Sequence, residues 1–501
     1  MKARDLSQLE SGPFDLLVIG GGIYGAWTAY DAALRGLRVA LVEREDWGAG
    51  TSSASSKLIH GGLRYLRNMQ FGLIRKALVE RRRLSRLGPH RVAPLRFGFP
   101  VYQADDVGPL AVHFGLGLYD SLAGFQQPVA RHQRWSRAAA HQQWPFLQSE
   151  DLCAAFTYGD CGTDDARLCL EIVAGAAAAG AVVCNHAPAV EILRSKDCVV
   201  GARIADAFDD NQQIDVLAQQ VVLCAGAWSE DLLGRADDQQ RSMRLVQGTH
   251  LILPAMPTQD AFLLPAQDGR IFFLIPWYGR TLVGTTESDY HGDPSAVRVP
   301  EADVAYLLHN TARSCPGLHW QREDVLGSFT GLRALRNELH RNPSKVTREF
   351  SIEQPQAGLW LAVGGKLTSA RVDAATLVKQ LCAMLGKGEG PCPTTNQPFP
   401  WAPLEPYGPW LQQQILSGTQ LGLTTTQAQC LAERHGKRVG LIWEQIRLDP
   451  NLAVAIAPDL PFCTAEIEFA RKHEMAITEE DLWRRRIPLR LLQTNHPNPN
   501  G

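Results

Sequence analysis

Hydrophobic and polar positions change period three times within residues 15–66, and those changes set the expectation for the rest of the chain. Residues 16–19 are a continuous apolar run of buried-strand type. Residues 26–34 are alanine-rich with helical spacing and are stopped by Gly36. Residues 39–42 form a second apolar run that ends at Glu43. Strand, helix and strand in this order predict a βαβ unit with a parallel sheet.

Downstream, residues 71–87 read as a basic amphipathic helix. Leu73, Ile74, Leu78 and Leu84 fall at helical spacing, with Arg75, Lys76, Arg81, Arg82, Arg83 and Arg86 around them. Residues 94–125 are rich in aromatics and glycines, as a core or as a surface that meets a bilayer or a partner. Residues 160–176 read as a loop entering a helix, with Thr163 or Asp164 as its cap. Strands are expected at 181–193 and 199–204, and 219–228 reads as a buried strand ending in a small-residue turn with Gly226. Runs at 251–254, 271–276 and 281–284 predict an antiparallel sheet. Residues 360–379 repeat the opening pattern of strand, glycine pair and helix, prolines cluster at 388–409, and 424–492 reads as mostly helical.

Between the first strand and helix lies Gly20-Gly21-Gly22-Ile23-Tyr24-Gly25. In a G-x-G-x-x-G turn the first glycine permits the bend, the second lets backbone approach a pyrophosphate, and the third lets the helix pack closely. The helix start adds unpaired N–H groups and positive dipole. Glu43 stands where it can accept hydrogen bonds from both ribose hydroxyls. A carboxylate there disfavours a 2′-phosphate, so an adenine dinucleotide other than NADP is expected.

Composition narrows the class. A chain of 501 residues exceeds one ordinary domain, and a formal net charge of -2 predicts no nucleic-acid partner. The cysteines number 11 without a C-x-x-C pair, which fits reduced thiols and no metal site. The N-terminal stretch is polar, and no run approaches the roughly eighteen apolar residues of a membrane span. The expected location is the cytoplasm, with room for a peripheral position on the cytoplasmic face of the inner membrane.

Residues 51–66, TSSASSKLIHGGLRYL, resemble the signature of the FAD-dependent, membrane-associated aerobic glycerol-3-phosphate dehydrogenases. Similar motifs follow in the family's order: DCGTDDARL, GTH at 248–250, IPWYGRTLVGTTESDYHGDP, TGLRAL, VTREFSI, VGGKLTSAR and ARKHEMAITEEDL. The resemblance implies an α/β fold: a Rossmann-type FAD-binding domain like that of glutathione reductase and D-amino-acid oxidase, an antiparallel-sheet substrate domain, and an all-α C-terminal domain. The FAD parts are expected at about 12–95, 150–235 and 350–390, and the substrate parts at about 95–150 and 236–350. A linker at 391–409 and the helical domain at 410–501 complete the chain.

The activity implied is oxidation of glycerol 3-phosphate to dihydroxyacetone phosphate, with electrons passing through FAD to a quinone, at a membrane surface and in a monomer or homodimer. Implied FAD contacts are Gly20, Gly22, Ile23, Tyr24, Gly25, Glu43, Thr51, Ser52, Ser53, Lys57, Leu58, Val190, Gly226, Gly365, Lys366, Leu367 and Thr368. A phosphomonoester suits fixed guanidinium and ammonium donors, and Arg64, Arg333, Arg348 and Lys366 stand at matching positions. Removal of the substrate's hydroxyl proton suits a histidine. His60 is ranked ahead of His250, which would orient substrate with Tyr65 and Thr286. Arg333 fits either phosphate binding or stabilisation of the developing alkoxide, and Lys366 fits a place near the flavin N1–C2=O edge.

The chain departs from the family pattern at Tyr24, at CAGAW, at Gln247 and Glu287, at Gly159 and Gly162, and at Ala334. These departures leave open a related phosphorylated or carboxylated alcohol as substrate and, least favoured, a flavin-binding protein without activity; O₂ in place of quinone is a separate alternative, since oxygen access turns on a few side chains near the flavin.

Overall fold

Two sheets, interleaved along the chain, both contribute residues to the lining of one cavity. The computed structural model describes residues 1, 3–66, 69–125, 127–234, 243–337, 349–388 and 390–494, without the side chain of Arg64.

The first sheet runs in the order Ser351–Gln356, Leu359–Val363, Asp209–Leu223, Phe14–Ile19, Val39–Val42, Val182–Cys184. Its last five strands are parallel, and all of Phe14–Ile19 is buried, as a strand covered on both faces must be. One face carries the helix Ile23–Leu34, which packs against Asp165–Ala178 and Ala370–Met384 in a single apolar cluster. An antiparallel meander, Ala189–Ser195 and Cys198–Asp206, joins the N-terminal part of Asp209–Leu223.

The second sheet is almost entirely antiparallel. Met243–Pro254, Arg280–Gly284, Ile271–Trp277 and Ala261–Pro265 continue through a parallel pairing into Val92–Tyr102, Leu152–Thr163 and Leu58–Ile59, and Gly327–Arg336 flanks Met243–Pro254. Leu152–Thr163 is therefore a strand of the sheet expected to hold substrate, although its residues fall in a stretch expected to bind FAD. Its end includes DCGT, read from sequence as loop; the helix begins after it, with Asp164 as the cap. The expected strand at 181–193 is broken in two, with His186 at φ 50° between the halves.

The C-terminal residues fold as helices Tyr407–Gln420, Thr425–His435, Val439–Leu448 and Ala465–His473, with shorter turns after them. The proline-rich segment before them is packed rather than free: Phe399 and Trp401 are buried, and the Trp401 amide donates to Glu171. Ion pairs fasten this unit down. Arg167 meets Glu474 at 2.6 Å, and Asp46, three residues past Glu43, meets Arg485 and Arg486 at 2.6 Å each. Burial opposes the charge on Asp46, but the two guanidiniums outweigh it and hold the carboxyl below its ordinary range.

Candidate active site

The cavity encloses about 750 Å³ and has two chemically different ends. One is built on the first βα turn. Gly20 leaves its strand at φ +110°, and a side chain there would strike the backbone of Cys224. A Cβ on Gly25 would overlap the Gly20 carbonyl, so the helix start can approach the turn only with glycine at that position. Gly22 caps the helix and lines the cavity, and the Ile23 amide donates to Ser52 Oγ at 2.9 Å. Glu43 accepts from the amides of Gly21 at 2.6 Å and Glu45 at 2.9 Å while lining the cavity. Burial raises its carboxyl above the ordinary range against those two donors.

A dinucleotide fits this end. The glycine backbone leaves room for a pyrophosphate at a helix N-terminus, and Glu43 is fixed as an acceptor for a ribose diol. Ala187, Pro188, Ala189 and Trp228 complete the wall, and the Arg44 guanidinium stacks over the Trp228 ring at 4.8 Å.

The other end gathers His60, Tyr65, Phe273, Thr285, Arg333, Lys366 and Thr368. The Lys366 ammonium lies 3.7 Å from the Tyr65 ring centroid. The Arg333 guanidinium donates to Thr285 Oγ1 at 3.1 Å and occupies space that a side chain on Gly248 would fill. Thr368 brackets the backbone of His60: its hydroxyl accepts from the His60 amide at 3.1 Å and donates to the His60 carbonyl at 3.3 Å. Two cations, a histidine and a phenol thus line the one cavity. Together they can bind a dianion and take a proton.

The candidates divide as follows. Gly20, Gly22, Ile23, Tyr24, Glu43, Thr51, Ser52, Leu58, Gly226, Gly365, Lys366, Leu367 and Thr368 line the cavity, with His60, Tyr65 and Arg333. Gly25 and Ser53 lie behind the lining and support it. Val190 points away and is half exposed, because the strand's alternation turns Ala189 inward instead. Lys57 does not line this cavity; its ammonium pairs with the buried Asp165 at 2.5 Å.

His250 is buried behind Ser56, 2.9 Å from its hydroxyl, with its ring stacked on Phe329 at 4.9 Å. Burial, reinforced by Arg333 and Lys57, pushes its imidazole well below the ordinary pKa. Thr286 is also behind the wall, bonded to Asp303 at 2.7 Å, and its neighbour Thr285 takes the cavity position. Arg348 and the Arg64 side chain lie outside the described residues.

Tyr24 does not crowd the phosphate turn. Its phenol accepts from the Lys366 amide at 2.9 Å and donates to Asp373 at 2.9 Å, with its ring stacked on Phe350. Burial and the Asp373 carboxylate push that phenol well above its ordinary pKa. Gly365, at φ +90°, is the only residue type that fits over the Tyr24 oxygen. Gln247 donates to the Arg298 carbonyl at 2.7 Å and so fills a structural place. Thr285, Phe273, Ser56 and the segment 187–189 also line the cavity and are not among the sequence candidates. None of them carries a charge, and Ser56 and Thr285, though inside family motifs, are uncharged neighbours of the residues those motifs single out. Among the described residues, no group of three His, Cys, Asp or Glu side chains is placed to hold a metal ion.

Known proteins resemble nearly the whole chain. A family model described as FAD dependent oxidoreductase matches residues 15–378. A second, described as C-terminal domain of alpha-glycerophosphate oxidase, matches residues 392–498. A glycerol-3-phosphate dehydrogenase of Synechocystis sp. is 31% identical over 511 residues, covering 98% of this chain and 92% of the relative. The aerobic glycerol-3-phosphate dehydrogenase of Bacillus subtilis is 32% identical over 496 residues, covering 96% and 88%. The crystal structure of the glycerol-3-phosphate dehydrogenase from Bacillus halodurans complexed with FAD superposes with a TM-score of 0.78 at 27% identity, covering 98% of this chain and 88% of that one.

Proposed function

The chain belongs to the FAD-dependent glycerol-3-phosphate dehydrogenase family, and on that premise we propose that it oxidises sn-glycerol 3-phosphate to dihydroxyacetone phosphate. The observation that carries this reading is that His60, Tyr65, Arg333 and Lys366 line the same cavity as the glycine turn. The residues of the turn, with Ser52 and Glu43, would hold the cofactor. When bound, FAD supplies a two-electron acceptor for the hydride leaving the carbinol carbon. The residues supply the rest. Arg333 and Lys366 donate to the phosphate dianion and orient the carbinol carbon. The imidazole of His60 takes the hydroxyl proton as the carbonyl forms. His250, buried and kept neutral, orders Ser56 and through it the adjoining loop, and does not itself reach substrate.

The proposed acceptor is a quinone, reached from a membrane surface. Support comes from the helix Pro109–Ala123, which exposes Leu110, Phe114 and Leu118, with Phe125 exposed just beyond it. It packs against Phe71–Leu87, where Arg75, Arg82 and Arg86 are exposed. An apolar ridge beside cations matches an anionic bilayer surface. Arg81, Arg485 and Arg486 are buried in ion pairs and have no part in it. Among the described residues no helix is long and apolar enough to cross a membrane.

Substrate and acceptor are tested separately. FAD-loaded protein should bleach anaerobically with glycerol 3-phosphate, and under air should reduce a quinone faster than it makes peroxide. Peroxide in stoichiometric yield, with quinone present, would make it an oxidase. Sedimentation with anionic vesicles should fall when Phe114 is changed to Asp. Equal sedimentation of the variant would remove the ridge from the account.

A further inference from the structure

We propose that Tyr119 is the positioning residue for His60, holding the histidine's loop from the helix that forms the exposed ridge. The proposal rests on the reading of His60 as the base. Pro109–Ala123 buries Val112, Leu116, Tyr119 and Ala123 and turns its other face outward. The Tyr119 phenol accepts a hydrogen bond from the Gly61 amide at 2.9 Å and donates to Asp160 Oδ2 at 2.8 Å. Asp160 also takes the Gly61 amide at 3.2 Å and Arg81 at 2.6 Å. Tyr119, Asp160 and Arg81 are each at most 2% exposed. The amide that follows His60 is therefore anchored on a buried chain of phenol, carboxylate and guanidinium, where water cannot replace a lost partner.

The approach is close enough to require glycine. A Cβ on Gly61 would overlap the Tyr119 oxygen and the Leu78 side chain. On the opposite side, Thr368 holds the amide and carbonyl of His60 itself. One anchor belongs to the cofactor turn at 364–368 and the other to the surface helix. Without the phenolic oxygen the Gly61 amide keeps only its longer, shared bond to Asp160. The loop can then swing, and His60 loses its aim across the cavity.

The test uses the FAD-loaded full chain and Tyr119→Phe, with Ser121→Ala on the exposed face of the same helix as control. In Tyr119→Phe, amide exchange in the peptide spanning Leu58–Tyr65 should quicken about tenfold. Flavin reduction at saturating glycerol 3-phosphate should slow about tenfold with KM within about twofold, and its pH profile should shift. Ser121→Ala should change none of these. Exchange and pH profile at wild-type values in Tyr119→Phe overturn the proposal. Should that variant fail to fold, exchange in the unmodified protein decides: Gly61 as well protected as the neighbouring strand supports the anchor, and exchange at the rate of an exposed loop refutes it. If glycerol 3-phosphate does not reduce the wild type, the substrate reading has failed, while the exchange result still decides this one.

Discussion

The two ends of the cavity are built by opposite means. The dinucleotide end comes mostly from one contiguous stretch, Gly20 to Ser52, and its contacts are backbone amides, one carboxylate and one hydroxyl. The reactive end is assembled from residues near 60, 273, 285, 333 and 366, drawn from both sheets. A pyrophosphate needs shape and N–H groups, which a single turn provides. A small phosphorylated alcohol needs charges and a base aimed from several directions, which only tertiary structure provides.

Breaking the first end should have the larger effect. In Gly25→Val the helix start is forced off the turn, and we expect protein purified without FAD, judged by its visible spectrum and by the absence of FAD uptake on titration. Breaking the second should leave the cofactor in place. His60→Asn should retain FAD at wild-type stoichiometry while the rate of substrate-driven flavin reduction falls about 10²–10⁴-fold in stopped flow.

A third effect separates the wall from its support. The folded pKa of His250 lies below its unfolded value near 6.5, so the unfolded chain binds a proton that the native state refuses. Stability from this group is fully present above about pH 6.5 and is lost as pH falls below it, by about 1.4 kcal/mol per unit until the folded pKa is reached. His250→Asn should flatten urea-unfolding stability between about pH 6.5 and 5 by that slope. His90 and His435, also lowered by burial, retain a dependence of the same sign. A slope unchanged in the variant would mean that His250 is protonated in the native protein.

The smallest effect lies where the ends touch. Tyr24 belongs to the glycine turn, yet its phenol holds the Lys366 amide. Tyr24→Phe removes the phenol's two buried hydrogen bonds, to the Lys366 amide and to Asp373, each worth about 1 kcal/mol, and FAD affinity should drop roughly fivefold by equilibrium titration. An unchanged affinity would mean that the two ends are independent.

The same contrast explains what could be read from the chain. The run from Leu16 to Glu43 was legible because its period, glycines and acid lie within one turn-strand-helix unit. His60 and Lys366 were legible because each sits inside a recognisable motif. Sequence did not show which of His60 and His250 reaches the cavity, since both lie in strand-loop contexts and only the packing of Ser56 and Phe329 separates them. Thr285 and Thr286 exchange places for the same reason: which side chain faces the cavity is set by tertiary packing. Arg81 reads as a solvated helix cation and is instead buried on Asp160, a partner 79 residues away. Tyr24 reads as a departure from the family pattern and is a brace, because its partners come from beyond residue 349.

The central claim is that one cavity holds a flavin at one end and glycerol 3-phosphate at the other. Anaerobic reduction of the FAD-loaded protein tests it most directly, comparing glycerol 3-phosphate with glycerol in the wild type and in Arg333→Met. The account predicts rapid bleaching by glycerol 3-phosphate, little by glycerol at equal concentration, and loss of that preference in the variant. Equal bleaching by both in the wild type, or an undiminished preference in Arg333→Met, would contradict it.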